Sequence, residues 1–419
     1  MTWWQRAGQR LPAWPLLAWL AGALVAAVVE RAVGLHVVHA LGLPTLPSMF
    51  GLSSVFAEPG LMPHTLAYLL LVYLLPAGGV AALLAPWVRR SLVRLSPRLA
   101  LLVHLGVLYA VFHVWGHTDD YRLLVLRLLG IGIILTTSLN LVNGWMGEFS
   151  VSVAGFMAVG AYVSSVLTVW GFVDDDVFGP AVLPAVLAPF AFPLVLVLGG
   201  VAAALSALLV AVPSFRTRGD YLAIISLAYV FIVKSALENA EFIGGPRGFM
   251  NQPTLASLPV VFVWTLLCVA TIALYVTSTY GKATSAVRDN ESAAEAVTVD
   301  TRRVKVVAFL THAFWSGIAG GLYAHVIGYI NPSNFGLIKS AEVLAMLYLG
   351  GLSSVSGSVL GTVLFQLLSE VLRPLKLVKW LVIPVLLILV MVFRPRGLFG
   401  FRELRLPFVP ARPYGAAGD

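Results

Sequence analysis

The sequence predicts an all-α polytopic membrane protein, and three observations support that fold class. Of the 419 residues, 59% are hydrophobic and only 11% are charged. A soluble domain carries roughly 25% charged residues. The apolar residues form runs of about 20, which is the length that an α-helix needs to cross a bilayer. Arg and Lys cluster between particular runs, and such clusters set the orientation of membrane proteins.

Composition also excludes several classes of function. We assign the net charge of +8 to membrane orientation and not to nucleic-acid binding, because no basic face is free of the bilayer. The single cysteine, Cys268, excludes internal disulfides and is interpreted as a small buried apolar residue. The pair Gly281–Lys282 is followed by Ala283 and not by serine or threonine, and no leading glycine precedes it, so it is not a phosphate loop. No enzyme motif or metal spacing appears, so any ATP hydrolysis is expected on another chain.

The N-terminal region predicts two spans and a cytoplasmic loop. Leu11–Val29 is interpreted as an uncleaved first span, because no cleavage site precedes Glu30–Arg31. Residues Arg31–Met62 are expected to form an outer loop, and Leu66–Trp87 the second span. A cluster of arginines without acidic neighbours follows and places this loop in the cytoplasm. These arginines are Arg89, Arg90, Arg94 and Arg98.

From that loop the remaining apolar runs alternate outward and inward. They are Leu99–Trp115, Leu123–Val142, Phe149–Trp170, Leu183–Val212, Tyr221–Leu237, Leu258–Thr279, Val306–Ile327, Phe335–Leu352, Val355–Leu372 and Leu381–Phe393. This gives about twelve crossings with both termini in the cytoplasm. Arg373, Lys376 and Lys379 fall outside on this count. Phe335–Leu352 is short and ends in Gly350–Gly351, so a broken or re-entrant segment is the alternative.

The longest charge-rich interruption of the apolar sequence is Gly281–Lys305. We expect two short helices on the cytoplasmic surface, with a break at Asp289 and Asn290 and a capping box from Ser292 to Glu295. Small alanine faces would let another protein approach closely, and the charges would fix its register. The alternative is an ordinary solvated loop. The candidate contact residues are Arg288, Asp289, Asn290, Glu291, Ala293, Ala294 and Glu295.

Two glycine-rich stretches, Asn140–Tyr162 and Gly350–Gly361, carry polar residues within apolar surroundings. Unwound backbone at membrane depth survives only where protein or a water-filled cavity satisfies it, so the first stretch is predicted to line a translocation path. Tight helix packing is an equally good explanation for any single glycine. The candidate pathway residues are Asn140, Gly144, Gly147, Ser150, Ser152, Phe156, Tyr221, Gly350 and Gly351.

Isolated polar residues elsewhere in the apolar runs are interpreted as packing or end-of-helix groups. They include His104, His113, His312, Lys234 and Glu370. The sequence contains no regular relay of acids and histidines, which argues against a proton-driven carrier.

Six motifs occur in order along the chain. They are Leu139–Leu141 with Gly144, Gly147, Ser150, Phe156 and Gly160–Tyr162; Arg216, Arg218, Gly219 and Tyr221; Gly244, Gly245 and Gly248; Gly281–Ala296; Gly350–Gly351, Gly357 and Gly361; and Arg394–Phe399.

This order resembles the LivM-type permease of branched-chain amino acid ABC importers, in the LIV-I or hydrophobic amino acid uptake family. The resemblance covers roughly Leu123–Gly400. Ser152 and Thr298 stand where that family usually has glycine, Ile243 where it often has threonine, and Lys282 where arginine is common. We therefore expect Thr298 to change the exit from the second short helix.

The resemblance implies a fold similar to type II ABC importers, with about ten core spans and an N-terminal addition of about two. It implies domains at 1–98 (additional spans and basic loop), 99–400 (permease core with the coupling loop at 281–305) and 401–419 (cytoplasmic tail). In that family Arg288–Glu295 would sit in a groove of an ATPase subunit and couple it to the spans.

The implied function is import of branched-chain or other hydrophobic amino acids across a bacterial inner membrane. The implied partners are a LivH-like second permease, two ATPase subunits that hold ATP and Mg, and a periplasmic substrate-binding protein. Membrane lipid surrounds the chain, and no cofactor is expected on it. Two alternatives stay open: a permease of the same type for urea, amides or another small solute, and an ion-coupled secondary carrier acting alone.

Overall fold

The structure, a computed structural model, describes residues 16–43, 59–92, 96–175, 177–215 and 221–378, with scattered positions between 381 and 403. Over these residues the chain forms helices and no strand. Its β-type pairing there is limited to the isolated bridges Asp175–Gly179 and Phe249–Ile330. The predicted all-α class is therefore confirmed.

The helices are α1 (Leu16–Ala40), α2 (Met62–Tyr68), α3 (Leu75–Leu92), α4 (Pro97–Gly116), α5 (Asp120–Asn140), α6 (Val153–Phe172), α7 (Ala188–Ser214), α8 (Tyr221–Glu238), α9 (Leu258–Thr277), α10 (Thr279–Asp289), α11 (Glu291–Ala296), α12 (Thr301–Ile327), α13 (Leu337–Gly350) and α14 (Val355–Val371). Two π-helical segments, Leu69–Leu74 and Leu141–Met146, continue α2 and α5.

Among the described residues, nine helical spans are long and apolar enough to cross a membrane. They are α1, α2 with α3, α4, α5, α6, α7, α8, α9 and α12. The chain is thus a multi-pass membrane protein, as predicted. Apart from α1, most helix bounds lie within a few residues of the predicted runs, because an apolar run of bilayer length leaves few choices for where a helix begins and ends.

The outer loop predicted at Arg31–Met62 is wrong in its first part. Helix α1 continues to Ala40, so the charged pair Glu30–Arg31 lies inside the helix and does not end it. The reason is that the Glu30 side chain is buried against a cation from a distant part of the chain. A sequence pattern read locally cannot supply that partner.

Helices α13 and α14, counted from the sequence as two crossings, form a bent pair. The segments Pro332–Gly350 and Val355–Val371 meet at 119° across a short break, which makes them a broken span or a re-entrant loop. This is the alternative that the sequence left open, and it lowers the count of crossings. The last predicted span, Leu381–Phe393, is described only at scattered positions. Arg216, Arg218, Gly219, Pro395, Arg396 and Phe399 lie outside the described residues.

The chain folds into two compact units. One comprises the described residues up to Leu126 with 367–378, and the other comprises Arg127–Gln366 with described positions between 380 and 403. The predicted boundary at residue 98 concerned which spans are additional to a permease core, and it stays a prediction.

The first unit is organised around a buried ion pair. The guanidinium of Arg122 donates to both carboxylate oxygens of Glu30, at 2.7 and 2.9 Å. The hydroxyls of Tyr68 and Tyr73 also donate to this carboxylate, and Trp115 Nε1 donates to the Tyr73 hydroxyl at 3.0 Å. Both charged side chains are nearly inaccessible to solvent. The network joins α1, α2 with its π-helical segment, α4 and the start of α5.

The second unit is built on close packing of α6, α7 and α12. A Cβ atom added at Gly160 would overlap the backbone of Gly317, and one added at Gly320 would overlap the Met157 carbonyl oxygen. Gly199 approaches the Gly160 carbonyl oxygen in the same way, at 3.0 Å from its hypothetical Cβ. Small residues of this kind let helix backbones approach within a membrane. The three helices therefore form a tightly packed centre for the second unit.

We expect the variant Arg122→Met to lose about 3–5 kcal/mol of unfolding free energy, because the Glu30 carboxylate would stay buried without a counter-charge. The double variant Glu30→Leu with Arg122→Met should be less destabilised than either single variant. Thermal unfolding of the detergent-purified protein measures the difference. Equal losses in all three proteins would show that the pair is not a coupled unit.

Gly160→Ala is expected to destabilise the second unit by at least about 1–3 kcal/mol, because its Cβ has no room without helix separation. Gly171→Ala, in the same helix, is the matched control, since a Cβ there meets nothing within 4 Å. It should be neutral or stabilise by up to about 1 kcal/mol. Apparent melting temperatures of the two variants test the ranking, and a destabilised Gly171 variant would contradict it.

Candidate functional site

The two short helices predicted in the charge-rich interruption are present as α10 and α11. They are separated by Asn290, whose extended backbone breaks the helix where the sequence predicted. The side-chain oxygen of Asn290 accepts from Ala293 N at 3.0 Å and caps α11. The predicted capping box from Ser292 is therefore wrong: Asn caps as well as Ser, and it comes first. Glu295 instead accepts from the Thr301 hydroxyl at 3.1 Å.

Helices α10 and α11 rest on a small apolar cluster. Val287, Ala294 and Val304 are buried there, and Val299 packs against them. Ala294 was predicted to contact a partner, but it is 3% exposed and faces inward. The residues that α10 and α11 leave exposed include Asp289, Asn290, Glu291, Ala293, Glu295 and Val297.

The C-terminal end of α11 has the left-handed residue that is usually glycine. Thr298 has a φ of 68°, which is a left-handed conformation. Its N–H donates to Glu295 O at 2.9 Å, and Val299 N donates to Ala294 O at 3.1 Å, which is the Schellman pattern. The expected change of exit at Thr298 is not seen. The threonine adopts the left-handed conformation in spite of its branched side chain.

The Arg288 side chain, predicted to contact a partner, points back into the chain. Its Nη1 donates to the Ser353 hydroxyl at 2.8 Å and to the Gly144 carbonyl at 3.4 Å. Its Nε and Nη2 donate to Asp289 Oδ1 at 3.0 and 2.9 Å. The aliphatic stem covers Gly147, where any Cβ would overlap it. The side chain thus links α10 to two other segments of the second unit.

The first of these segments is the interruption between α5 and α6. Helix α5 ends in the π-helical turn Leu141–Met146, and Gly147 follows with a φ of 77°. The chain then runs without helix until α6 begins at Val153. We call Gly147–Ser152 the first break. Its left-handed entry requires glycine, which explains Gly147.

Side chains satisfy the backbone of the first break. Asn143 exchanges two hydrogen bonds with the backbone of Ser150, both at 3.3 Å. The Ser226 hydroxyl accepts from Val151 N at 3.0 Å, and the Ser340 hydroxyl donates to Val151 O at 2.7 Å. Buried non-helical backbone requires such partners, and Ser150, Val151 and Ser152 are buried. The break is therefore a built part of the fold.

The second segment is the turn Gly351–Ser354 between α13 and α14, which we call the second break. The Asn140 side chain accepts from Ser353 N at 2.9 Å and donates to Ser354 O at 3.0 Å and Ser358 Oγ at 2.7 Å. Gly351 has a φ of 116° and Ser353 one of 55°. A non-glycine residue with positive φ is strained and persists only where its surroundings hold it.

An ion triad ties α11 to the first break. The Lys305 ammonium lies 2.8 Å from Glu148 Oε1 and 2.9 Å from Glu291 Oε2. Lys305 is 9% exposed, whereas the Glu291 side chain is 47% exposed. Glu291, predicted to contact a partner, therefore also has an internal role. Glu148 further lines an open cleft of about 370 Å³ with Phe149, Leu222 and Ala223.

The candidate pathway residues fall into two groups. Tyr221 is 54% exposed at the first residue of α8, whereas the others lie at or beside the breaks and α6. Gly350 packs so closely on Gly357 and Gly361 that a Cβ would overlap them, which is the packing explanation that the sequence left open. Ser152 has an ordinary helical conformation and no need of glycine. A role in translocation stays a prediction for the whole set. The buried members are Asn140, Gly144, Ser150, Ser152, Phe156, Gly350 and Gly351.

Sequence reasoning missed Lys305, Ser353, Ser226 and Ser340 as members of this site. Single serines in apolar helices carry no local signal, because their partners lie far along the chain. Lys234, interpreted as an end-of-helix group, pairs with Glu238 at 3.6 Å near the end of α8, and Cys268 is buried as predicted.

Comparison with known proteins identifies the family. The family described as the branched-chain amino acid transport system permease component matches residues 121–393. The chain belongs to this family. Membership makes it a component of a transporter and not an enzyme. The match begins and ends within a few residues of the predicted resemblance.

Relatives agree with the family assignment. The LivM permease protein of the high-affinity branched-chain amino acid transport system of Escherichia coli K12 is 30% identical over 303 residues, covering 64% of this chain and 67% of the relative. The LivH permease protein of Salmonella typhimurium is 26% identical over 173 residues, covering 40% and 56%. The autoinducer 2 import permease LsrC of Yersinia enterocolitica is 29% identical over 137 residues, covering 31% and 38%. The expected resemblance to LivM-type permeases is confirmed, and no solved structure matches.

Thr298→Gly is expected to stabilise the α11 exit by about 1 kcal/mol, because glycine adopts positive φ without steric cost. Ser292→Gly is the matched control, since Ser292 is exposed inside α11 and glycine should destabilise a helix there by about 1 kcal/mol. Hydrogen exchange of the amides in 291–299 measures both changes. Slower exchange in the control, or faster exchange in the Thr298 variant, would contradict the assignment.

Proposed function

We propose that this chain is the membrane permease of an importer for branched-chain or other hydrophobic amino acids, driven by ATP hydrolysis on separate subunits. Family membership and the similarity to LivM and LivH support this proposal. The proposed assembly contains a LivH-like second permease, two ATPase subunits and a periplasmic substrate-binding protein. The chain itself carries no cofactor in this proposal, because ATP and Mg belong to the ATPase subunits.

The observation that carries the proposal is the exposed face of α10 and α11. Ala293 is exposed there, and Val297 is 69% exposed. These small or apolar side chains let a partner backbone come close, while Asp289 and Glu295 offer charges at the rim. The buried cluster beneath keeps the face rigid. A partner with basic side chains around an apolar groove fits this surface, and we assign it to the ATPase.

We infer that this end of the second unit faces the cytoplasm. Arg302 and Arg303 are exposed at the start of α12, on the same side as α10 and α11. The turns at the far ends of α6 and α8 carry Asp174 and Glu241 instead. Basic loops lie preferentially in the cytoplasm. We propose both termini in the cytoplasm of a bacterial inner membrane, which requires the bent pair of α13 and α14 to begin and end on the same side.

A different cargo is the second candidate function. Similarity to LsrC, a permease of an autoinducer 2 import system, indicates that related chains serve solutes other than amino acids. Urea, amides or another small solute then stay candidates. Uptake by vesicles containing the whole complex, with labelled leucine and unlabelled competitors, separates the two. Competition by isoleucine and valine supports amino acid import, and competition by an amide alone supports the alternative.

The docking face is tested by the double variant Ala293→Trp with Glu295→Lys. Co-purification of the ATPase and ATP-dependent uptake should each fall at least about tenfold, which corresponds to about 1.4 kcal/mol of association free energy. Bulk and reversed charge would block a close approach. Asp174→Lys, an exposed change beyond the other end of α6, should leave ATPase co-purification unchanged.

Two outcomes would count against the proposed function. Undiminished co-purification and uptake in the double variant would remove α10 and α11 from the docking face. Uptake by the purified chain alone, driven by an ion gradient, would favour the secondary carrier.

A further inference from the structure

We propose that Arg288 is a positioning residue that transmits the state of α10 to both helix breaks, and that the strained Ser353 is the element it switches. This inference rests on the proposed function, because the signal would come from an ATPase docked on α10 and α11. It goes beyond docking, because it names the internal contacts through which docking acts on the helices.

The first argument is the position of the guanidinium. One edge of it binds Asp289, whose side chain is 68% exposed. The remaining nitrogen, Nη1, binds Gly144 O beside the first break and Ser353 Oγ in the second. The planar fork of arginine suits such simultaneous contacts. A partner that draws Asp289 away therefore also pulls on the group that holds both breaks.

The second argument is the strain at Ser353. With a φ of 55°, this residue occupies a region that is costly for a side chain with a Cβ. It is held from two sides: Asn140 accepts from its N–H at 2.9 Å, and Arg288 donates to its hydroxyl at 2.8 Å. Release of one restraint favours relaxation of the turn. In this proposal the turn at Ser353 is the element whose conformation changes.

The third argument is the close contact among these segments. A Cβ at Gly144 would overlap Asn140 Oδ1 and lie 2.6 Å from Ser353 N, and a Cβ at Gly147 would overlap the Arg288 stem. Packed interiors have low compressibility and transmit displacement. In the proposed route, a shift of α10 is passed to the segments that Arg288 contacts.

The ion triad is a second link between the short helices and the first break. Lys305 joins α11 to Glu148 in the first break, whereas Arg288 joins α10 to both breaks. The chain Arg288–Ser353–Asn140 therefore gives α10 a direct hydrogen-bonded route to the second break. Coupling energies in such routes are revealed by non-additive effects of paired substitutions.

The experiment uses the assembled complex of both permeases, the ATPase subunits and the binding protein. The variants are Arg288→Lys, Ser353→Ala and their combination. Arg288→Lys keeps the charge and loses the fork, so ATPase co-purification should stay within about twofold, while ATP hydrolysed per solute imported should rise at least about fivefold. Ser353→Ala should give a similar rise, and the double variant no further rise. Arg303→Lys, an exposed Arg→Lys change in α12, is the matched control and should behave as wild type.

The outcomes separate this inference from the proposed function. Lost co-purification in Arg288→Lys would overturn it by placing Arg288 at the docking interface. A lowered melting temperature with an unchanged ATP-to-solute ratio would also overturn it, since a static brace predicts that result. Additive effects of the two substitutions would overturn the shared route. Failure of the wild-type complex to assemble or to hydrolyse ATP would instead refute the proposed function.

Discussion

Hydrogen bonding of interrupted helix backbone inside a membrane protein is the constraint on which the rest of this structure depends. Buried N–H and C=O groups are costly without hydrogen-bond partners, so each helix break must be satisfied by the protein itself. Asn140 binds the backbone of the second break, and Asn143 binds that of the first. The two asparagines lie one turn apart where α5 passes into its π-helical segment. The end of this one helix therefore binds the backbone of both breaks. Ser226 of α8 and Ser340 of α13 supply further hydrogen bonds to the first break.

The site combines rigid packing with local strain. Helices α6, α7 and α12 meet through glycines so closely that no side chain fits between their backbones. Next to this rigid centre, Ser353 and Thr298 hold left-handed conformations that non-glycine residues rarely adopt. Thr298 ends α11, and the Ser353 hydroxyl accepts from Arg288 in α10. Non-glycine residues keep such conformations only where the surrounding structure holds them, so these two positions depend on their neighbours.

Sequence patterns predicted the elements and missed the long-range pairings. Helix lengths follow from the width of a bilayer, and the break at Asn290 follows from local capping chemistry, so both were predictable. The continuation of α1 past Glu30 depends on Arg122, 92 residues later, and the inward direction of Arg288 depends on Ser353, 65 residues later. No local pattern contains such partners. Glycines were ambiguous for a related reason, since Gly350 needs its neighbours Gly357 and Gly361 in space before packing can be recognised.

The Glu30–Arg122 pair has a consequence for how the first unit is made. The ribosome releases Glu30 long before Arg122, and in the interval α1 carries a carboxylate without a counter-charge, which is costly at membrane depth. We therefore expect α1 to reach its stable position only after α5 has been synthesised. The early helices would then complete their assembly together and not one at a time. A chain truncated between α4 and α5 would leave α1 as a poor membrane anchor and a natural target for quality control.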